Sequence, residues 1–165
     1  MKNINEIEKK YKVFDVREIM PLLKEEVKRK NIRAYFMLAM IYSYSDRKKD
    51  LLYSDKLFKK GMKKGCPMCE NRYKYLYGDN KKIDDLNLEN RLIALGNDIL
   101  AQTELAFYYF RTLQFDLAFQ TASKLNYTEY FESCRMLATL YECGSGVMKD
   151  VSKAKEIRRI FFEEI

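Results

Sequence analysis

Apolar residues along this chain recur at helical spacing, three to four apart, and the apolar stretches are separated by short polar turns. A short helix is predicted near Ile4 to Tyr11, and a second from about Val16 to Lys30, with Pro21 near its first turns. From residue 33 onward the pattern repeats. Leu38-Ala39-Met40-Ile41-Tyr42, Leu105-Ala106-Phe107-Tyr108-Tyr109 and Leu137-Ala138-Thr139-Leu140-Tyr141 share one Leu-Ala-x-x-Tyr motif. Tyr73-Lys74-Tyr75-Leu76-Tyr77 is a degenerate copy, and the successive offsets are 35, 32 and 32 residues. Four residues before each anchor stands a small residue: Ala34, Cys69, Ala101 and Ser133. Positions i, i+4, i+5 and i+8 share one helix face, and the small residues let a second helix approach it.

A second amphipathic segment follows each anchor. It reads Asp50 to Ser54 with Leu57 and Phe58 in the first unit, Ala118 and Ala122 in the third, and Asp150 to Ala154 with Ile157, Ile160 and Phe161 in the last. Breakers fall between units. Gly65-Cys66-Pro67 ends the first and offers Pro67 to the next helix start; Gly96-Asn97-Asp98 ends the second and offers Asn97 or Asp98 as a cap. Leu125-Asn126-Tyr127-Thr128 ends the third, with Thr128 as the expected cap. The expectation is an all-α chain: capping helices over 1–32, then about four antiparallel helical hairpins over 33–165 in one continuous domain.

The stretch Tyr141-Glu142-Cys143-Gly144-Ser145-Gly146-Val147-Met148-Lys149-Asp150-Val151-Ser152-Lys153-Ala154 resembles the Sel-one-like repeat, a relative of the tetratricopeptide repeat. The pattern of that family is A-x-x-x-L-A-x-x-Y-x-x-G-x-G-V-x-x-D-x-x-K-A. The last unit departs from it only at Ser133; the first keeps Ala34, Leu38, Ala39, Tyr42 and Asp50 without the Gly-x-Gly turn, and the middle two are eroded. The resemblance implies a right-handed solenoid and a scaffold or adaptor role in protein complexes. Some secreted relatives bridge paired helices with disulfides, but the matching second cysteine is missing here.

Composition narrows the chemistry. Of 165 residues 47% are hydrophobic and 33% charged, which is the balance of a folded chain. With no histidine, there can be no His-based nucleophile pair, general base or metal ligand. Catalysis would rest on carboxylates, Lys, Tyr or Cys, so the expectation is a non-enzyme with neither cofactor nor metal. Met1-Lys2-Asn3-Ile4-Asn5-Glu6 leads into charged sequence without an apolar signal region, and no apolar run nears the roughly 20 residues that span a bilayer. Four irregularly spaced cysteines then suit free thiols in a reducing cytoplasm, away from any membrane. Charge is uneven: residues 1–82 hold 22 Lys/Arg against 11 Asp/Glu, and residues 83–165 hold 9 against 13.

Two surfaces are candidates for a partner. If the first helix of each hairpin lines an inner curve, as in tetratricopeptide relatives, the alignment exposes Arg33, Phe36, Met40 and Ser43, then Met68, Asn71, Tyr75 and Gly78. The later units offer Leu100, Thr103, Phe107 and Phe110, then Glu132, Arg135, Thr139 and Glu142. Phe36, Met40, Met68, Tyr75, Leu100, Phe107 and Phe110 would give this groove an apolar lining suited to a protein partner. The plainer reading is that these side chains pack between neighbouring hairpins. The second surface is basic: Lys56, Lys59, Lys60, Lys63 and Lys64 on one helix, with Lys24, Lys28, Arg29 and Lys30 upstream. It could grip an acidic protein or a nucleic-acid backbone; the plainer reading is a solvated outer face.

Weaker signals remain. Cys66-Pro67-Met68-Cys69 has redox or zinc spacing, but lacks a preceding strand and further ligands. Cys134 and Cys143 lie about 13 Å apart along one helix, too far to chelate together. Asp84-Asp85 and Glu163-Glu164 have no pocket context. The function expected is a non-catalytic protein-binding module, such as a bacterial or phage inhibitor, an immunity protein or an adaptor that occludes its partner. The alternative is binding of nucleic acid or an acidic partner through the basic N-terminal half; the oligomeric state is open.

Overall fold

The computed structural model of the chain describes residues 4–78 and 85–161, and those residues form ten helices and no strand. In chain order they are α1 (Ile4–Lys12), α2 (Ile19–Lys28), α3 (Ile32–Ser43), α4 (Lys48–Lys63), α5 (Pro67–Tyr77), α6 (Leu86–Ile93), α7 (Ile99–Arg111), α8 (Phe115–Ser123), α9 (Phe131–Cys143) and α10 (Val151–Arg158). The four anchor motifs fall on α3, α5, α7 and α9, and the second amphipathic segments on α4, α8 and α10. The chain gathers into two compact units, 1–78 and 79–165. The first takes in the segment expected as capping helices together with α3, α4 and α5; the second holds α6 to α10.

In the first unit α3 is the core. Every residue from Ala34 to Ile41 is buried, because α2, α4 and α5 all pack against this helix. A helix that is apolar around its circumference is stable only with neighbours on all sides. The small residues sit where helices meet. Ser54 on α4 is fully buried and donates to the Ala39 carbonyl at 2.8 Å. Gly61 on α4 faces Cys69 on α5 so closely that a Cβ at 61 would lie 2.4 Å from the Cys69 Sγ. Arg33 donates from Nε to Glu8 at 2.5 Å and ties α3 to α1.

In the second unit α7 plays the same part, buried from Leu100 to Tyr109 except at the half-buried Gln102, with α6, α8 and α9 against it. The Tyr109 hydroxyl donates to Glu89 of α6 at 2.8 Å. Burial, then the Glu89 carboxylate, push the Tyr109 ionisation above the usual range, so the hydroxyl keeps its proton. α9 pairs with α10, and the Cys134 thiol donates to the Ile157 carbonyl at 3.1 Å.

Helix starts follow the short polar residues. Asn31, Asp85, Asp98 and Asp150 each accept from a backbone N–H of the following turn, and Pro67 stands at the first position of α5. Thr128 does not cap α9. The helix begins at Phe131 behind Tyr130, while Thr128 donates instead to Asn126 within the turn. The second predicted helix is shorter than its apolar pattern, ending at Lys28 before Lys30 takes a left-handed φ of 64°.

Candidate functional site

The inner groove is not open where the alignment put it. Phe36, Met40, Met68, Asn71, Leu100, Thr103 and Phe107 are all buried. Tyr75 and Phe110 are half-buried, and Arg135 is exposed. The reason is packing: α3 and α7 each have neighbours on three sides, so the positions expected to face a partner face other helices of their own unit. Tyr75 is taken up by the Arg72 guanidinium, 5.7 Å from its ring centre. Arg135 is held by Glu132, whose carboxylate accepts from Nη1 at 2.9 Å.

The lysines of the basic surface stand in water. Lys24, Lys28, Lys56, Lys59, Lys60 and Lys63 are all exposed. At 100° per residue, Lys48, Lys49, Lys56, Lys59, Lys60, Lys63 and Lys64 occupy roughly 160° of the α4 circumference, with only Leu52 and Tyr53 among them. Asp50, Ser54, Leu57, Phe58 and Gly61 form the buried remainder. Rings from neighbouring helices border the row. Tyr42 of α3 stands edge-on to Tyr53 at 4.9 Å between centroids, and Lys24 of α2 reaches to 6.0 Å from Tyr42. On α5, Tyr73 lies 5.7 Å from the Lys59 ammonium and packs on Tyr77 at 5.1 Å. The tyrosines join two lysine clusters that are about thirty residues apart in sequence. That bridge was not foreseeable, because Tyr42 reads as a core anchor of the repeat.

A second surface was missed in the sequence. At the α7–α8 turn, Leu113 is 58% exposed and Leu117 40%, bordering a shallow depression of about 370 Å³ together with Gln114, Phe115 and Asp116. The Phe110 and Phe115 rings pack at 5.7 Å beneath this end of the unit. The loop after α9 closes against it: a Cβ at Gly146 would lie 2.1 Å from the Phe115 carbonyl oxygen. Two residues further on, Met148 is 88% exposed. The available signal was Leu113, a large apolar residue in a short turn that needs only polar ones, followed by Phe115 and Leu117 in the first turn of α8.

Of the remaining candidates, Cys66 and Asp85 serve as helix caps. Cys66 caps α5, its sulfur accepting from the Cys69 N–H at 3.4 Å, and both thiols are buried. Cys134 is buried as well, which pushes its thiol up to about 11, and Cys143 is the exposed one of the four. Asp85 caps α6; Asp84, Glu163 and Glu164 lie outside the described residues. Glu132 is fully buried, and desolvation raises its carboxyl to about 7 against the opposing pull of Arg135. Among the described residues no group of three or more Cys, Asp or Glu could hold a metal ion, and no helix is long and apolar enough to cross a membrane.

The described chain is an all-helical protein. No family model, no curated protein and no solved structure matches it.

Proposed function

We propose that this chain is a non-catalytic protein-binding module built from Sel-one-like helical hairpins. The hairpins would wind as a right-handed solenoid and occlude a partner in the manner of an inhibitor, immunity protein or adaptor. The observation that carries the reading is the apolar end of the second unit, where Leu113 and Leu117 stand in water with Phe115 between them, and the loop that closes on the Phe115 backbone carries the exposed Met148. Exposed aliphatic and methionine side chains over aromatic rings lose little by releasing water and gain contact area when a partner covers them.

The family reading draws on the last hairpin, where several matched residues have a physical task. Gly144 and Gly146 take left-handed φ values of 69° and 71°, Asp150 caps α10 by accepting from the Lys153 N–H at 2.8 Å, and Ala138 and Ala154 are fully buried. Four free thiols, three of them buried, suit the reducing cytoplasm that the reading assigns to the protein.

The test is affinity recovery from the native host, with the wild type and a Leu113→Ser/Leu117→Ser/Met148→Ser variant quantified side by side. All three side chains are exposed, so the variant keeps its helical content. The reading predicts one or more proteins that the wild type recovers and the variant loses. Equal recovery by both would count against this surface.

A further inference from the structure

The lysine face of α4 lies in the other unit and makes a separate case. Lys56, Lys60 and Lys63 make no ion pair among the described residues, whereas Lys59 is held by Asp55 at 2.9 Å. From Lys49 to Lys63 the row runs about 21 Å along the helix; Lys56, Lys60 and Lys63 follow one another at steps of four and three residues, about 6 and 4.5 Å. Tyr53 and Tyr77, 38% and 45% exposed, belong to the two ring pairs that border it.

We propose that this face binds single-stranded nucleic acid, with lysines on successive phosphates and bases stacking on the bordering tyrosines. Counterion release favours this partner over an acidic protein, and the lysines and rings set how a strand would be held. Exposed lysine–carboxylate pairs contribute little in water, and the row lacks an enclosed apolar anchor that would add to them. A polyanion differs, because each phosphate that a lysine neutralises releases a condensed counterion. Lysine also carries a compact point charge without the fork of arginine, which suits phosphate contact independent of sequence. The rings separate single strands from duplex, since only an unpaired base offers its face for stacking.

The experiment is fluorescence anisotropy of a labelled mixed-sequence single strand with the full chain, over a series of salt concentrations. A duplex of the same sequence and unlabelled poly-glutamate run in parallel. The expected result is binding at low salt that weakens linearly in log–log form and exceeds duplex binding. Lys56→Gln/Lys60→Gln/Lys63→Gln should flatten the slope by about 2, at roughly 0.7 per phosphate contact. Tyr53→Ala should weaken single-strand binding roughly tenfold while leaving the slope unchanged. Circular dichroism confirms that the exposed substitutions leave the helices intact. No binding at low salt, or an unchanged slope in the triple lysine variant, would overturn the proposal. So would competition by poly-glutamate as effective as by the strand, which would assign the face to an acidic protein. None of these results bears on the apolar end of the second unit, so the two readings fail independently.

Discussion

Gly146 sits directly over the carbonyl of Phe115, so that a Cβ added there would lie 2.1 Å from the oxygen. This contact holds the loop after α9, which carries the exposed Met148, against the start of α8. The backbone at Gly146 is also left-handed, with φ at 71°. Both features exclude a side chain, whereas Gly65 has a φ of 82° but open space around its Cβ position. Gly65→Ala therefore costs only the conformational term, about 1–2 kcal/mol. Gly146→Ala adds a backbone clash and should cost clearly more, by chemical denaturation of the two variants under the same conditions. Equal losses would mean that the loop yields freely and that its contact with α8 is incidental.

Glu132 gives the fold a pH dependence of definite sign. Its carboxyl is raised from the usual 4.5 to about 7, so between those values the folded protein binds a proton that the unfolded chain releases. The stability it contributes is full below about pH 4.5 and is lost as pH rises through 7. The span corresponds to about 3 kcal/mol. Glu132→Gln stays neutral throughout, so it should gain on the wild type as pH rises from 5 to about 8 and match it most closely at the acidic end. Parallel stability curves for the two proteins would show that Glu132 ionises normally.

The thiols should react in two classes. Cys143 is exposed, while Cys66, Cys69 and Cys134 are buried, and burial also keeps the Cys134 thiol protonated at neutral pH. A maleimide or alkylating reagent should modify Cys143 fast in the native protein and the other three only after denaturant is added. Rapid native modification of Cys66 or Cys69 would show that the α4–α5 crossing at Gly61 opens readily.

Much of this was legible in the sequence, because helical periodicity and short-range caps are local signals. Asp98 caps α7, Pro67 opens α5 and Ala118, Ala122 and Ala154 lie buried, as their spacing implied. The exposed lysines were legible for the same reason: Lys56, Lys59, Lys60 and Lys63 share a face of one helix whatever surrounds it. The groove was not. Phe36 and Phe107 stand two residues from a Leu anchor, and whether that face meets water depends on how many helices surround α3 and α7. Periodicity cannot count neighbours. It could not bring Tyr42 beside Tyr53 either, or Gly146 over Phe115, since both pairs join different helices or loops. The apolar end hid in a turn and a helix start that carried no motif.

The central claim is that the second unit meets a protein through the end that carries Leu117. A photo-crosslinking amino acid placed at 117, and in a separate chain at Lys124, tests it in the native host. Both positions are exposed, and Lys124 lies beyond the end of α8, outside the apolar patch. The account predicts a discrete crosslinked protein from position 117 and none from 124. Absence of a specific adduct at 117, or the same adducts from both positions, would contradict it.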